Sequence, residues 1–261
     1  MRVSVRVAAR TGAQKLFDGV GDFFGMCVDT FRALPARPFQ LRETVEQSWV
    51  IARVSMVPTL LVAIPFTVLV SFTLNILLRE IGAQDLSGAG TALGTVTQIG
   101  PIVTVLIVAG AGATAICADL GARTIREEID ALKVLGIDPI HRLVVPRVIA
   151  STVVALLLNS LVCTIGLGGG FVFSVYLQNV NPGAFIANLT LLTGLPELII
   201  SMIKAALFGL FAGLVACYRG LTVRGGAKGV GDAVNETVVY SFMALFVINV
   251  VVTAVGVKVT T

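Results

Sequence analysis

Five apolar stretches, each about 20 residues or longer, constrain this chain more than any other feature. They lie at about 54–78, 99–117, 143–176, 191–218 and 238–257. A helix needs about 20 apolar residues to cross a bilayer, and runs that are continuous rather than alternating argue against a transmembrane barrel. Only 13% of the residues are charged, against about 25% in soluble domains. The sequence therefore predicts an all-α integral membrane protein with five transmembrane helices.

Prolines and glycines indicate where the helices should bend, end or touch. Pro58 and Pro65 lie inside the first apolar run and predict a kink or a re-entrant shape, because proline interrupts the helical hydrogen bonds. The Gly/Ser/Ala-rich segment 79–98, the segment 179–188 and the polar segment 219–237 are predicted to be loops. Glycines four residues apart favour close helix packing in lipid, and two such pairs are present: Gly166 with Gly170, and Gly209 with Gly213.

Residues 1–53 are predicted to form a cytoplasmic tail with amphipathic interfacial helices, ahead of a five-span membrane domain at 54–261. The first 15 residues are basic, which suits an anionic cytoplasmic leaflet, and they lack the apolar core of a cleavable signal peptide. In 16–34, apolar residues recur at steps of three and four, which predicts an amphipathic helix in the membrane interface. The alternative is a helix buried against the spans. A second amphipathic piece is predicted at 41–53.

The positive charges divide unevenly between the two sides of the predicted spans. Of the 19 lysines and arginines, eight precede residue 54, five lie between the second and third spans, and three lie between the fourth and fifth. Only Arg79 and Lys258 fall on the other side, and Lys204 lies within a span. By the positive-inside rule, the N-terminus is predicted to be cytoplasmic and the C-terminus external. This distribution explains the basic balance without a nucleic-acid partner.

A charged segment separates the second and third spans. Its apolar residues share one helical face and its charged residues the other: Ile125, Ile129 and Leu132 against Arg126, Glu127, Asp130 and Lys133. Gly136 provides a C-terminal stop, and Asp138-Pro139 turns the chain. The pattern predicts a short cytoplasmic amphipathic helix at about 123–136, to which another protein can bind.

No motif for catalysis or nucleotide binding is present. The nearest approach to a P-loop, GLTVRGGAK at 220–228, lacks the Gly-Lys-Ser/Thr ending that holds phosphates. His141 follows Asp138 by three residues but has no nucleophile placed beside it. The four scattered cysteines are interpreted as packing thiols, and with one histidine they form no metal site. The chain is predicted to be a non-enzyme that binds no cofactor, so any ATP and Mg²⁺ would bind another chain.

Polar residues inside the apolar runs are candidates for a substrate path, because charges in a bilayer usually face a cavity or a partner. Glu197 and Lys204 are seven residues apart, which places them on one helical face about 10.5 Å apart. Glu197 has a second interpretation, an acid favoured by the dipole of a helix's first turn. Lys204 costs about 3 kcal/mol at mid-bilayer and is predicted to line either the path or a subunit interface. Asn75 and Gln98 are weaker candidates.

A family resemblance is carried by residues 98–147, which read QIGPIVTVLIVAGAGATAICADLGARTIREEIDALKVLGIDPIHRLVVPR. This stretch resembles the MlaE/YrbE family of lipid-transport permeases, and its most specific part is E-x-I-D-A-L, then L-G-I-D-P, then P-R. The amphipathic N-terminus and five spans also agree. The segment CYRGLTVRGGAKGVGDAVNETVV resembles the A-type subunit of the actinobacterial, Mce-associated branch. FTLNILLREIGAQDLSGAG resembles the copy linked to sterol uptake.

The resemblance implies the permease of an ABC lipid importer in the plasma (inner) membrane. A second, B-type permease would complete a heterodimer on two copies of a cytoplasmic ATPase, which binds the ATP and Mg²⁺, and Mce proteins outside would deliver the lipid. The lipid would be a sterol such as cholesterol, with fatty acids or other lipids as the alternative. The helix at 123–136 would be the coupling helix, and its contact residues would be Arg123, Arg126, Glu127, Glu128, Asp130, Leu132, Lys133 and Leu135.

Two departures from the family bear on the substrate. Many relatives have Arg-Glu where this chain has Thr97-Gln98, and Arg where it has Ala111, so the roles of those charges do not transfer. A more apolar path favours a sterol or fatty acid over a phospholipid. A function of another class is a membrane scaffold that assembles Mce proteins without moving lipid. A cavity between spans would favour transport, and a solid, glycine-packed bundle would favour the scaffold.

Overall fold

The protein is helical throughout the part that the structure, a computed structural model, describes, namely residues 12–35 and 40–260. Most of the predicted basic tail lies outside those residues. Within these two ranges, ten α-helices follow one another: α1 Gly12–Ala33, α2 Leu41–Glu80, α3 Ser87–Gly94, α4 Gly100–Ile107, α5 Ala113–Ile125, α6 Glu128–Val134, α7 Val145–Gln178, α8 Pro182–Asn188, α9 Leu195–Leu221 and α10 Gly226–Thr260.

Among the residues that the structure describes, five helical segments are long and apolar enough to cross a membrane, which confirms the predicted all-α, five-span architecture. They are Leu41–Glu80, Gln84–Ile125, Ile140–Gln178, Leu195–Leu221 and Gly226–Gly256. The connections are shorter than predicted. The segment predicted as a loop at 179–188 contains α8, and the one at 219–237 is already helical from Gly226.

The first span differs from its prediction at both its start and its prolines. α2 is one helix of 40 residues that includes Pro58 and Pro65, so no re-entrant shape forms. At a rise of 1.5 Å per residue it is about 60 Å long, roughly twice the hydrocarbon thickness. The amphipathic piece predicted at 41–53 is therefore the first part of this helix and not a separate element. The predicted domain boundary at residue 53 falls inside it.

The second span is a stack of short helices in place of the predicted loop 79–98 and a plain span. A 3₁₀ turn at Gln84–Leu86 leads into α3, and π-helical turns at Thr95–Ile99 and Val108–Gly112 separate α3, α4 and α5. Glycine and serine in α3 serve close packing here. A Cβ added at Gly88 would lie 2.0 Å from the carbonyl oxygen of Phe185 in α8.

The helix predicted at 123–136 is divided in two. α5 ends at Ile125, and Glu127 adopts a left-handed conformation with φ of 59° before α6 begins at Glu128. Gly136 has a φ of 73°, in agreement with its predicted role as a stop. A third π-helical turn, Ile140–Val144, then leads into α7.

α7 forms the centre of the bundle, with α2 on one side and α9 on the other. Its crossing with α9 depends on the absence of side chains. A Cβ at Gly209 would lie 2.4 Å from the carbonyl oxygen of Ser151, whose hydroxyl donates a 2.7 Å hydrogen bond to the Gly209 carbonyl. Cβ atoms at Gly166 and Gly170 would meet threonine methyl groups at 2.5 Å. Both predicted glycine pairs are therefore close-packing positions.

α1 lies against the bundle by one face only. Met26 and Thr30 are buried, whereas Val20, Phe24 and Phe31 remain exposed. The Tyr218 hydroxyl of α9 donates a 2.9 Å hydrogen bond to the Gly19 carbonyl, and the Phe23 and Tyr218 rings meet edge to face. The helix thus combines features of both readings of 16–34, since it contacts the spans and leaves an apolar face uncovered.

Candidate functional site

The turn at α6 presents a mixed charged and apolar surface at one end of the bundle. Ile129 anchors α6 in the core, with 6% of its surface exposed, while Val134 and Leu135 are 87% and 72% exposed. Two surface ion pairs, each with an N–O distance of 2.9 Å, lie in the turn: Arg126–Glu128 and Lys133–Asp130. An anchored helix with uncovered leucine and valine side chains has the character of a docking surface.

A buried ion-pair network lies directly behind this turn. Arg147, at the start of α7, is fully buried, and its guanidinium contacts the Asp119 carboxylate of α5. Arg147 also donates to the Leu143 carbonyl at 2.9 Å and lies 4.0 Å from the Glu43 carboxylate of α2. Asp119 in turn pairs with Arg123 at 3.3 Å. The network therefore joins the first three spans next to α6.

Lys204 is buried in the middle of α9, with only 2% of its surface exposed. Its ammonium donates a 3.3 Å hydrogen bond to the carbonyl oxygen of Thr97, inside the π-helical turn at 95–99. Among the residues that the structure describes, no carboxylate lies within 4.0 Å of it. An intramembrane cation without a counter-ion is costly, so Lys204 remains a candidate for contact with a substrate or a second subunit.

Asn75 is a packing residue that links three helices. Its amide donates to Ser174 at 2.8 Å and to Gln178, both in α7, and its carbonyl oxygen accepts from Ser87 in α3. It also borders a cleft of about 280 Å³ whose lining includes Phe72, Arg79 and Gln178. The hydrogen bonds give Asn75 a structural role that its position in the sequence did not reveal.

The other two path candidates have different surroundings. Glu197 lies in the first turn of α9, where its carboxylate accepts a 2.8 Å hydrogen bond from the Gly194 amide. The interpretation of Glu197 as a first-turn acid is thus the one that the structure supports. Gln98 is exposed on the bundle's side, next to the carbonyl that Lys204 contacts. Lys204 and Gln98 therefore border the same turn, while Asn75 and Glu197 bond elsewhere.

The outer faces of α2 and α10 are largely uncovered. In the most apolar window of each, 22% of α2 and 11% of α10 is buried, against 61% in the second span. A second cleft, of about 470 Å³, lies between α1, α9 and α10.

The described cysteines are free thiols, of which Cys117, Cys163 and Cys217 are buried. Burial raises the pKa of the Cys27 thiol in α1.

The Arg147 network was missed by reasoning from sequence. Asp119 and Arg147 both lie in the stretch that carries the family resemblance, but the sequence uses of Arg147, as a topological charge and as part of the P-R motif, predict no partner for it. The signal available in the sequence was an acidic residue at the end of the second span and a basic residue near the start of the third span. Their 28-residue separation could not be read as a contact, because it depends on how the chain turns at α6.

The comparisons with known proteins agree with this architecture. A sequence model described as "Permease MlaE" matches residues 44–255. A probable ABC transporter permease of Synechocystis is 35% identical over 80% of this chain and 79% of its own length. The protein TRIGALACTOSYLDIACYLGLYCEROL 1 of Arabidopsis thaliana is 30% identical over 67% of this chain and 50% of its own.

A third relative carries a more explicit name. The intermembrane phospholipid transport system permease protein MlaE of Haemophilus influenzae is 25% identical over 86% of this chain and 88% of its own length. The family match extends from the start of α2 nearly to the end of α10 and so includes all five spans and the α6 turn. The chain is therefore a member of the MlaE permease family.

Proposed function

We propose that this chain is the membrane-spanning permease subunit of an ABC lipid importer in the plasma membrane. Membership of the MlaE family is the observation that carries the proposal, and the printed names of relatives as ABC transporter permeases and as a phospholipid-transport permease support it. ATP and Mg²⁺ would bind a cytoplasmic partner ATPase, and this chain would contribute no catalytic residue.

The finer assignment is an A-type, Mce-associated subunit that pairs with a B-type permease and receives a sterol from Mce proteins. The segments 217–239 and 72–90 support it by resemblance. The uncharged Thr97-Gln98 pair beside Lys204 suits a sterol or a fatty acid better than a phospholipid. The uncovered faces of α2 and α10 offer surfaces for a second subunit.

The α6 turn is the proposed coupling element. Val134 and Leu135 would enter a groove on the partner ATPase. The charged residues around them would fix the position of the turn in that groove. Ile129 and Leu132 would transmit the motion, because they pack towards the core. The proposed contact set, at the tip and base of the turn, is Arg123, Arg126, Glu127, Glu128, Asp130, Leu132, Lys133 and Leu135.

Charge reversal at the turn tests this assignment. The variant Glu127→Lys with Asp130→Lys should lose ATP-driven lipid transport and co-purification of the ATPase, while membrane insertion is unchanged. Glu80→Lys with Asp85→Lys, at the opposite end of the bundle, is the matched control. ATPase binding that survives reversal of both turn residues would remove the coupling role.

Lys204 and Gln98 are the proposed lipid-path residues, with Asn75 and Glu197 as less favoured members. Lys204→Gln should reduce transport more than Lys204→Arg, because only the arginine keeps the positive charge that would contact the substrate or a second subunit. Gln98→Glu should impair sterol uptake. Sterol uptake equal to wild type in Gln98→Glu would contradict the argument that an apolar path selects sterol.

A scaffold that assembles Mce proteins without moving lipid is the second candidate. The tight glycine contacts between α7 and its neighbours favour it, because they leave little room for a lipid between those helices. Mass spectrometry of lipids that co-purify with the complex distinguishes the two functions. A transporter should carry one lipid class lost in Lys204→Gln, whereas a scaffold should carry only bulk membrane lipid.

A further inference from the structure

The cleft of about 470 Å³ between α1, α9 and α10 has the size of a small-molecule site, roughly 300–1,000 Å³. Its lining is mainly apolar and aromatic and includes Val20, Phe23, Val215, Tyr240 and Ala244. One charged side chain, Arg219, also lines it. The cleft is separate from Lys204, because the lining residue of α9 nearest to it in sequence, Val215, is roughly 16 Å further along the helix at 1.5 Å per residue.

The position of the cleft corresponds to the membrane boundary. The fourth apolar run of the sequence ends at Tyr218 and the fifth begins at Val238, so Arg219 and Tyr240 lie at the level where polar and apolar surroundings meet. Tyrosine is enriched at that level. Val215 and Ala244 lie one helical turn deeper. The cleft is therefore polar at the head-group level and apolar towards the membrane core.

Arg219 retains hydrogen-bonding capacity at this level. Its guanidinium stacks over the Tyr240 ring at 5.1 Å and forms an ion pair with Glu236 through Nη2. Its Nε is buried and has no hydrogen-bond partner among the described residues. Arginine has five N–H donors in a planar fork that matches a phosphate. The Arg219 side chain is nevertheless 24% exposed and lines the cleft, so its guanidinium offers N–H donors there to a phosphate oxygen.

We propose that the cleft binds one phospholipid of the adjacent leaflet, with its phosphate on Arg219 and one acyl chain between α1 and the α9–α10 pair. Phe23 and Val20 of α1 cover the chain from the interface side. The Tyr218–Gly19 hydrogen bond holds α1 in place over the cleft. This lipid would secure the interfacial helix to the spans, and the site exists whether or not the chain transports lipid.

Native mass spectrometry of the full-length protein, purified with any subunits that accompany it, tests the site. The probes are phosphatidylglycerol and a diacylglycerol with the same chains. Wild type should retain phosphatidylglycerol at least about tenfold more tightly than diacylglycerol, and Arg219→Gln should remove that preference, because a hydrogen bond to a charged group is lost. Glu236→Gln should strengthen retention, because it removes a competing carboxylate.

The apolar part of the cleft is tested by filling it with a larger side chain. Ala244→Leu should weaken retention of both lipids, whereas Ala254→Leu, on an exposed part of the same helix, should leave it unchanged. Equal retention of the two probes, or wild-type retention in Arg219→Gln or Ala244→Leu, would overturn the proposal. If Arg219→Gln fails to fold, the response of Glu236→Gln decides. Lys204→Gln should not alter this retention, which separates the site from the transport path.

Discussion

Arg147 joins three helices through its ion pairs, and its own side chain is fully buried. We expect Asp119→Asn to destabilise the protein by about 2 kcal/mol, because the fully buried guanidinium keeps only the more distant Glu43 as a counter-ion. Thermal unfolding of the purified protein in detergent should show a midpoint several degrees lower.

Lys133→Gln is the matched control for that substitution. It breaks the Lys133–Asp130 pair, in which both side chains are more than half exposed, so the change should stay below about 1 kcal/mol. Equal unfolding midpoints for Asp119→Asn and wild type would show that solvent at the half-exposed Asp119 already compensates Arg147.

At the scale of elements, the α7–α9 crossing is the contact least able to accept added volume. Gly209→Ala should cost about 1–3 kcal/mol, because the new methyl group would meet backbone atoms of Ser151 and Thr152 at 2.4 and 2.6 Å. The free energy of unfolding measured in mixed detergent micelles checks this.

A glycine elsewhere in α7 provides the comparison. Gly168→Ala adds the same methyl group where nothing lies within 4 Å, so it should be neutral or slightly stabilising, since alanine favours the helix by up to about 1 kcal/mol over glycine. A loss of stability as large as that of Gly209→Ala would mean that helix packing does not explain these glycines.

The spans could be predicted from sequence because apolar length alone decides whether a helix can cross a bilayer. The connections could not, because glycine, serine and alanine break helices in water but pack them in lipid. Gly88 and its neighbours illustrate this, because their composition predicts a loop whereas they form α3. The continuity of α2 through Pro58 and Pro65 likewise excludes the re-entrant shape, one of the two outcomes that these prolines predict.

Only part of the candidate site could be predicted from the sequence. The location of the turn between the second and third spans followed from charge, and Gly136 followed from helix-stop chemistry. The break at Glu127 carried no signal, since glutamate rarely adopts a positive φ. The pairing of Asp119 with Arg147 depends on the packing of α5 and α7 against the same helix, α9, which no local pattern encodes.

At the scale of the whole molecule, the distribution of lysine and arginine predicts the orientation in the membrane. Alkaline phosphatase fused after Thr261 should be active, because the C-terminus is expected outside, and the same enzyme inserted after Gly136 should be inactive. Green fluorescent protein at the two positions should give the opposite pattern. Phosphatase activity at Gly136 would reverse the topology and place the α6 turn beyond reach of a cytoplasmic ATPase.

The π-helical turns of the second span have a consequence for how this chain can evolve. A π-helical turn holds one residue more than an α-helical turn, so deleting one residue within Val108–Gly112 would convert it to an α-helical turn. Asp119 would keep its direction towards Arg147, because the number of helical turns before it is unchanged. A deletion within α5 before Asp119 would instead rotate everything beyond it by about 100° around the helix axis, and Asp119 would turn away from Arg147. The π-helical turns are therefore the places where the second span can change its length by one residue and keep this ion pair.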